Sequence, residues 1–282
     1  MYMTLNAPAI GIKGKTLLET VDLARGAGFA GVDFNIAEAK AYVDANSVAA
    51  LHDLFGDIRP AQWGLPVIGE QTEWEIDLKS LEASAKLSHE LKCTRVATWV
   101  PSWSDTRDLG ENIEFHVARL RPAAQVLADH GCKLGLEFLG PKTLLNGHPY
   151  AFIHTMDAML DMGREIGNCG LLLDAWHLYT SGGSLSELNA LSAEDIVHVH
   201  INDAPAGVLI EDQIDTVRCL PMETGIIDLV GFMKALAAIG YDGPVVTEPF
   251  NAALNDLASN DPMSAAISVS EAMKKLWHAS GI

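Results

Sequence analysis

Short apolar runs with β-type composition alternate along the chain with longer stretches of helical periodicity. In the first of these stretches, Leu17, Leu18, Val21 and Ala24 recur at helical spacing before the glycines of RGAG, which predicts an amphipathic helix. Alternation of this kind is typical of an α/β fold. Eight runs are predicted as strands, near residues 3–8, 31–36, 58–67, 94–103, 132–140, 169–178, 195–203 and 243–251.

Helical segments precede most of the later strand candidates, and one further helix closes the chain. Strands joined by crossovers of this length run parallel, with right-handed connections. Because LLLD, IVHVHI and PVVTE are apolar on both faces, these strands are expected to be covered by helices on both sides. The pattern predicts a single-domain (β/α)₈ TIM barrel over residues 1–282. The helices are predicted over residues 78–92, 114–131, 151–167, 229–243 and 263–277.

An open, doubly wound sheet is the competing architecture. That fold normally carries a glycine-rich phosphate loop after its first strand. The segment GIKGKT follows neither the GxGxxG pattern of dinucleotide-binding folds nor the GxxxxGKS/T pattern of P-loops. The sequence also lacks a composition break or linker that would divide it, so the closed barrel is favoured.

The charge balance of the chain is strongly acidic. Its 37 Asp and Glu residues exceed its 19 Lys and Arg residues, which gives a formal net charge of -18. Proteins that bind nucleic acid need a basic surface that neutralises phosphates. The balance therefore argues against DNA, RNA and anionic membranes as partners, and it is compatible with a cation in a carboxylate-lined pocket.

The sequence carries no recognisable targeting or membrane signal. The start MYMTLNAPAIGIKGK lacks an apolar segment followed by a cleavage site, as a secretory leader would have. No apolar run reaches the roughly 18 residues needed to span a bilayer. The four cysteines form no CxxC pair, which argues against a zinc knuckle or a redox pair. A cytoplasmic location is expected.

Four consecutive strand candidates end in side chains that can bind a metal ion. The active site of a (β/α)₈ barrel lies at the carboxyl ends of its strands, and a lone buried carboxylate there needs a cation, a proton or a hydrogen-bond donor. Singly, each residue is readily explained as a salt-bridge partner or helix cap, whereas one divalent ion explains all of them together. The fifth to eighth runs end in Glu137, Asp174, His200 and Glu248, respectively.

The donor chemistry narrows the choice of ion. Three carboxylates and one imidazole suit Mn²⁺, Co²⁺, Mg²⁺ or Zn²⁺ rather than a soft, thiolate-preferring ion, and Mn²⁺ is ranked first. His198 alternates with His200, so both point to the same side of the strand. His198 is expected to lie deeper, as a core histidine or a support for the ligands.

The segments LGLEFLG, LLLDAWH, IVHVHIND and VVTEPF, in this order, resemble the motifs of the xylose-isomerase-like sugar isomerase/epimerase superfamily of TIM barrels. The superfamily includes inosose dehydratases and isomerases, ketose 3-epimerases, 3-dehydroshikimate dehydratases and, more distantly, endonuclease IV. The resemblance covers essentially the whole chain and is most specific in its C-terminal half. Its most telling elements are the D-x-x-H pair of Asp174 with His177 and the H-x-x-D pair of His200 with Asp203.

The resemblance implies roles for individual residues. It implies that the four strand-end residues are the metal ligands, and that Glu137 and Glu248 also act as acid and base on either side of the substrate carbon. It further implies that His177 hydrogen-bonds a substrate oxygen. Arg218 is predicted to reach a substrate hydroxyl or carboxylate, with a salt bridge at the rim as an equal alternative.

Aromatic side chains near the strand ends are predicted to face the substrate. Trp63 and Trp99 could stack on the C–H face of a sugar ring, and plain packing at the rim is the alternative. Two residues depart from the pattern of the superfamily. Asn202 stands where Lys is frequent, which removes a positive charge and favours a neutral substrate. Met222 replaces a usual glycine, so the loop around it is expected to differ in shape.

The predicted function is that of a metal-dependent isomerase or epimerase acting on a sugar, ketose or inosose-type polyol. A divalent ion polarises the substrate carbonyl and stabilises an enediolate, while a carboxylate removes the neighbouring proton. Expulsion of a β-hydroxyl from the same intermediate would make the protein a dehydratase of the inosose or 3-dehydroshikimate type, which is the principal alternative.

Two other functions are alternatives to a sugar-modifying enzyme. An endonuclease IV-like nuclease would need extra histidines for a trinuclear zinc cluster, and the third and fourth strand candidates contain none. A ligand-binding barrel without catalysis is the other alternative. The expected partner is a small sugar or polyol, and a homo-oligomer is compatible with the exposed aromatic residues.

Overall fold

The computed structural model describes residues 1–66 and 73–282, and within them eight parallel strands close into a barrel. Each strand pairs with its sequence neighbours, and β1 pairs with β8 to complete the ring. The predicted single-domain (β/α)₈ barrel is therefore confirmed. The strands β1 to β8 are Tyr2–Leu5, Gly31–Asp33, Arg59–Gly64, Arg95–Val100, Lys133–Phe138, Cys169–Asp174, Ile196–His200 and Pro244–Val246.

The helices α1 to α10 include all those predicted from the sequence. Among them, α6 contacts β5 and β6, and α10 contacts β1, as expected for helices that cover a barrel from outside. In chain order they are Leu17–Ala27, Ile36–Ala45, Val48–Phe55, Trp74–Glu90, Leu109–Asp129, Met156–Ile166, Ala175–Thr180, Leu229–Ala238, Ala252–Asn260 and Pro262–Ser280.

Helix α1 illustrates how the sequence sets its own limits. The Thr16 side chain accepts a hydrogen bond from the backbone N–H of Glu19, and the Glu19 carboxylate accepts one from the N–H of Thr16. This reciprocal capping box satisfies two N–H groups that the first helical turn leaves unpaired. The helix ends at Gly28, whose φ of 81° lies in the left-handed region that glycine adopts readily.

Two predicted strands end earlier than expected because polar residues start a helix. The second run was predicted to residue 36, but Asn35 accepts a hydrogen bond from Ala37 N at 2.8 Å and begins α2. The sixth was predicted to residue 178, but Asp174 caps α7 directly after β6. The last residue of the third predicted strand, Val67, lies outside the described residues.

A short antiparallel pair of strands lies beyond the barrel rim. This rim ribbon joins Trp103–Ser104 to Tyr150–Ala151, and the Trp103 ring stacks on His148 with centroids 4.7 Å apart. Through Trp103 the ribbon forms part of the wall of the central cavity. In the parts of the chain that the structure describes, no helix has both the length and the apolar character needed to cross a membrane.

Candidate metal centre and active site

A cavity of about 810 Å³ opens at the carboxyl ends of the strands. Every strand contributes to its wall at or just beyond the strand end. This placement agrees with the position of active sites in (β/α)₈ barrels. Representative residues from β1 to β8 are Asn6, Asp33, Gln62, Trp99, Glu137, Leu172, His200 and Glu248.

Three of the four predicted metal ligands surround a common point. His200 Nδ1 lies 3.0 Å from Glu248 Oε2 and 3.4 Å from Glu137 Oε1. Asp174 is adjacent, because ligand atoms of Glu137, Asp174 and His177 all lie within 4.8 Å of one another. The four residues predicted from separate strand ends are thus brought together in the fold.

The electrostatics of this cluster fit a divalent cation. The pKa of Glu137 is raised to about 7, mainly by burial and also by the nearby Asp174 and Glu248 carboxylates, against the opposing effect of His200. Burial alone would lower the pKa of His200, but Glu248 and Glu137 raise it well above its usual value. Crowded carboxylates of this kind favour a positive charge between them.

Hydrogen bonding in the cluster leads to the same conclusion. Within the described chain, Glu137 Oε1 and His200 Nδ1 are buried without a hydrogen-bond partner, since their close approaches lack hydrogen-bond alignment. Buried polar atoms seldom remain unpaired. Three carboxylates and one imidazole, two of them with an unpaired buried atom, are a suitable donor set for Mn²⁺, Co²⁺, Mg²⁺ or Zn²⁺.

Glu248 is fixed by its neighbours on both sides. Asn6 Nδ2 donates to Glu248 Oε1 at 2.9 Å, and Asn202 Oδ1 accepts the backbone N–H of Glu248 at 2.7 Å. Asn202 is fully buried and also accepts from the Thr247 hydroxyl. Asn202 therefore holds the end of β8, and the expectation that its lack of charge favours a neutral substrate stays a prediction.

Arg218 forms a buried clamp beside the cluster. Its Nη1 donates to Asp174 Oδ2 at 2.7 Å, and its Nη2 donates to Asp215 Oδ1 at 2.8 Å. The guanidinium carbon lies 4.5 Å from the ring centroid of Trp176 and 5.1 Å from that of Phe250. The salt bridge foreseen as one alternative is thus present, and Arg218 also lines the cavity.

Two hydrogen-bond donors approach the ring of His177. The backbone N–H of Gly140 donates to His177 Nδ1 at 3.2 Å, and Arg218 Nη2 lies 3.2 Å from His177 Nε2. Because arginine only donates and a neutral imidazole accepts at only one nitrogen, the neutral ring accepts from one of these two donors. Burial and the Arg218 charge lower the pKa of His177 to about 3, which keeps the ring neutral.

Gly140 makes this contact with His177 possible. A Cβ atom at position 140 would lie 2.2 Å from the backbone oxygen of His177, far inside contact distance. Only glycine lets the loop after β5 approach α7 so closely. The motif LGLEFLG therefore supplies a metal-ligand candidate and also the backbone that orients the imidazole.

The aspartate of the H-x-x-D motif is structural. Asp203 is fully buried, and its two carboxylate oxygens accept the backbone N–H groups of Ala204, Thr224, Gly225 and Ile227. Its backbone also pairs with Cys219. Asp203 thereby ties both ends of the long loop between β7 and α8. Met222 in this loop adopts a φ of 67°, a backbone conformation that favours glycine; the expected difference in loop shape stays a prediction.

Replacing Asp203 with alanine is expected to cost about 3 kcal/mol or more of unfolding free energy, because several buried N–H groups would lose their acceptor. Urea unfolding of the variant checks this. The control is Asp212→Ala, which removes an exposed aspartate of the same loop and should change stability by about 0.5 kcal/mol or less. Equal losses in the two variants would contradict the role assigned to Asp203.

The two predicted tryptophans take different positions. Trp99 is 52% exposed and lines the cavity. The prediction for Trp63 is wrong, because its side chain is fully buried and its Nε1 donates to Ser88 Oγ at 2.6 Å. Adjacent strand residues point to opposite faces, and Gln62 and Gly64 are the residues of β3 that face the cavity.

This difference predicts opposite phenotypes. Trp63→Phe removes the bond to Ser88 and should cost about 1–3 kcal/mol of stability with kcat/KM unchanged. Trp99→Ala should alter stability by about 0.5 kcal/mol or less and lower kcat/KM. Thermal unfolding and initial rates of both variants check the pair. If Trp63→Phe lost turnover but kept the stability of the wild type, the packing role of Trp63 would be contradicted and a role in substrate binding supported.

The structure adds residues that sequence reasoning missed. Asp33 ends β2 and lines the cavity; it was missed because the predicted run continued to residue 36, which put its carboxylate inside the run. Asn6 and Asp215 also line the cavity. Asn6 lies within the first predicted run and Asp215 outside any run, and no local pattern in the sequence marks either as a site residue.

The chain shares its fold and motifs with known enzymes. A 180-residue segment is 27% identical to inosose isomerase of Bacillus velezensis and covers 62% of this chain and 60% of that protein. A 137-residue segment is 32% identical to 3-dehydroshikimate dehydratase of Pseudomonas aeruginosa, covering 47% and 20%. A 140-residue segment is 33% identical to ketose 3-epimerase of Arthrobacter globiformis, covering 49% and 43%. The matched segment thus spans about 60% of the length of the inosose isomerase.

Solved structures extend the likeness to the whole chain. A xylose isomerase domain protein from Alicyclobacillus acidocaldarius subsp. acidocaldarius superposes with a TM-score of 0.85 at 28% identity and covers 99% of this chain and 98% of its own. A protein solved with a bound zinc atom gives 0.77 at 19% identity, covering 100% and 98%, and shares the fold. Residues 11–275 match the family model of the xylose isomerase-like TIM barrel, and the chain belongs to this family.

Proposed function

We propose that this protein is a divalent-metal-dependent isomerase or epimerase acting on a sugar, ketose or inosose-type polyol. The observation that carries the proposal is the convergence of Glu137, His200 and Glu248 on one point beside Asp174, inside the cavity at the strand ends. The inosose isomerase and ketose 3-epimerase relatives support this class of reaction.

The metal would be held by the four strand-end residues Glu137, Asp174, His200 and Glu248. When bound, the ion supplies Lewis acidity that polarises a substrate carbonyl and stabilises the negative charge that develops on it. Mn²⁺ is favoured because the donor set combines oxygen and nitrogen, with Co²⁺, Mg²⁺ and Zn²⁺ as alternatives. A structural neighbour was solved with a zinc atom.

The two glutamates carry the proton in this proposal. Both carboxylates approach His200 Nδ1, at 3.4 Å for Glu137 and 3.0 Å for Glu248. One removes the proton next to the carbonyl, and the other delivers a proton to the opposite face or to the adjacent carbon. The first outcome is epimerisation and the second is isomerisation. The hydrogen bond from Asn6 keeps Glu248 aimed at the cavity.

The remaining residues bind and orient the substrate. His177 is assigned to a substrate oxygen, because its ring lines the cavity and its Nε2 lies 3.9 Å from Glu137 Oε1. Arg218 holds Asp174 and His177 in place and contributes positive charge. The faces of Trp99 and Phe250 offer apolar surface for the C–H groups of a sugar or polyol. With a net charge of -18, a small molecule is favoured over nucleic acid or membrane.

A dehydratase is the second candidate function. The 3-dehydroshikimate dehydratase relative, 32% identical over 137 residues, favours it, and the first proton abstraction would be the same. The reactions diverge afterwards, because a dehydratase expels a hydroxyl from the β-carbon. In that case one of the two glutamates would protonate the leaving oxygen instead of a carbon.

One experiment tests the proposal and separates these outcomes. The Mn²⁺-loaded protein is incubated in D₂O with ketoses, inososes and cyclic keto acids, and the mixtures are followed by NMR. We expect deuterium to enter next to the carbonyl of one substrate class. An epimer or isomer product supports the first candidate, and an alkene product supports the second. Absence of exchange across all classes would contradict both.

A further inference from the structure

A glutamine side chain lies in the cavity wall opposite the predicted metal centre. Gln62 is on β3, whereas His200 is on β7. These two strands are four places apart in either direction around the closed ring, so they form opposite walls of the barrel. Both residues line the cavity. A molecule bound at His200 can therefore extend across the cavity to Gln62.

A bulge between β2 and β3 sets the position of Gln62. Val32 lies opposite Pro60, but the next residue, Asp33, lies opposite Gln62, so Ala61 is an extra residue of β3. Bulges are frequent at barrel rims and next to active sites, where they re-aim a side chain. Here the bulge places Gln62 beside Asp33 on the adjacent strand, about 4.8 Å away, and both residues line the cavity.

The amide of Gln62 has no partner within the protein. The residue is 8% exposed, and its side chain forms no hydrogen bond with any residue that the structure describes. The neighbouring Asp33 differs, because its Oδ2 faces His198 Nε2 at 3.2 Å. Leaving a buried amide unpaired is unfavourable, and such groups nearly always have a partner. For Gln62 that partner is expected to come from the cavity.

The wall next to Gln62 leaves room for a ligand. Gly64 is the next residue of β3 on the same face, and it pairs with Ala97 of β4. Both line the cavity, and a Cβ atom at Gly64 would meet no described atom within 4 Å. Because two of the smallest residues border the amide, a ligand can approach it closely.

The chemistry of an amide specifies the kind of ligand. A glutamine side chain offers two N–H donors and one carbonyl acceptor, and a hydroxyl group both donates and accepts. Two hydroxyls on adjacent carbons can therefore pair with the N–H and C=O groups of one amide at the same time. An ionised carboxylate only accepts, so it would leave the carbonyl oxygen of Gln62 unpaired. The amide thus fits a neutral diol better than an acid.

We propose that Gln62 is a specificity-determining residue that binds adjacent hydroxyl groups on substrate carbons remote from the reacting one. This rests on the proposed function in one respect, since the reacting carbonyl is placed at the metal centre on the opposite wall. A substrate held at both ends spans the cavity. The substrate class is thereby narrowed to neutral polyhydroxy ketones, and cyclic keto acids that direct their carboxylate to this wall are disfavoured.

Binding of polyols that lack a carbonyl tests the proposal without turnover. The full-length, Mn²⁺-loaded protein is titrated calorimetrically with myo-inositol and sorbitol. The matched probes are cyclohexane-1,2-diol and hexane-1,2-diol, which keep one pair of adjacent hydroxyls and lack the others. We expect the wild type to prefer the polyol to its diol about 10-fold or more in at least one pair, as one or two hydrogen bonds would produce.

Two variants locate the source of this preference. Gln62→Met keeps the length of the side chain without the amide and should lower the preference about 10-fold. Gln125→Met, which replaces an exposed glutamine of α5, should leave it unchanged. The Tm of Gln62→Met should stay within about 2 °C of the wild type, because the amide has no protein partner to lose.

The outcomes distinguish this proposal from the function itself. A wild type without the preference, or an equal preference in Gln62→Met, overturns the role of Gln62 and leaves the proposed function standing. Absence of deuterium exchange in D₂O would overturn the function, whereas a preference lost in Gln62→Met would still support hydroxyl binding by Gln62. If Gln62→Met does not fold, Gln62→Glu takes its place and should show the same loss, since a carboxylate lacks the N–H donors.

Discussion

Replacing Glu248 with glutamine is expected to lower kcat by about 10³-fold, within the range typical of a lost general acid or base. Glutamine has nearly the same shape but cannot take up a proton, and it removes one of the two carboxylates that flank His200 at 3.0 and 3.4 Å. The free energy of unfolding should change little, because a neutral amide relieves crowding among the carboxylates. Initial rates and chemical unfolding of the variant measure the two effects.

Two controls make the loss of turnover interpretable. Glu82→Gln changes an exposed glutamate of α4 and should leave both kcat and stability unaltered. The metal content of Glu248→Gln, measured at saturating Mn²⁺, separates a lost ligand from a lost proton carrier. A metal-loaded Glu248→Gln protein that retains wild-type turnover would remove Glu248 from the proposed mechanism.

Removing the metal should abolish turnover and destabilise the fold. In the metal-free protein the carboxylates of Glu137 and Glu248 crowd around the same nitrogen of His200, and a bound ion, which relieves this crowding, stabilises only the folded state. At a free concentration about 100-fold above its Kd, the ion adds roughly 2.7 kcal/mol. For a chain of this size, that raises Tm by about 5–10 °C.

The measurement is thermal unfolding and turnover of EDTA-stripped protein during titration with Mn²⁺. Turnover should return in parallel with the rise in Tm. His200→Gln, which lacks the shared imidazole, should show a much smaller rise at the same Mn²⁺ concentration. If millimolar Mn²⁺, Co²⁺, Mg²⁺ and Zn²⁺ all leave Tm and turnover unchanged, the assignment of a metal centre to these four residues is contradicted.

The fold was predictable because the spacing of hydrophobic residues along the sequence depends directly on which side chains are buried. The eight strand positions follow from runs such as those around Leu136 and Val199, which must be apolar whatever their neighbours are. Strand ends were less predictable, because Asn35, two residues after β2, and Asp174, the last residue of β6, each cap the helix that follows. An apolar stretch such as AWHL after Asp174 fits a strand or a buried helix equally well.

The candidate site was predictable where a single residue at a strand end sufficed. Glu137, Asp174, His200 and Glu248 were found in this way. Side-chain direction was the weak point, since Trp63 lies one position from Gln62 and therefore faces the opposite side of β3. The clamp formed by Arg218 and Asp215 required tertiary structure, because their partners Asp174 and His177 lie about 40 residues earlier in the chain.

The anchoring of the β7–α8 loop by Asp203 has an evolutionary consequence. Both ends of the loop are fixed independently of its middle, through Cys219 and through residues 224–227. The middle exposes Leu209 and Ile214 and leads directly into the segment that delivers Asp215 and Arg218 to the cavity. Changes at exposed positions between these anchors, such as Leu209, are therefore expected to leave the barrel intact. The loop is the part of this scaffold in which new substrate preferences can arise at the lowest risk to folding, and it is the natural target for diversification in directed evolution.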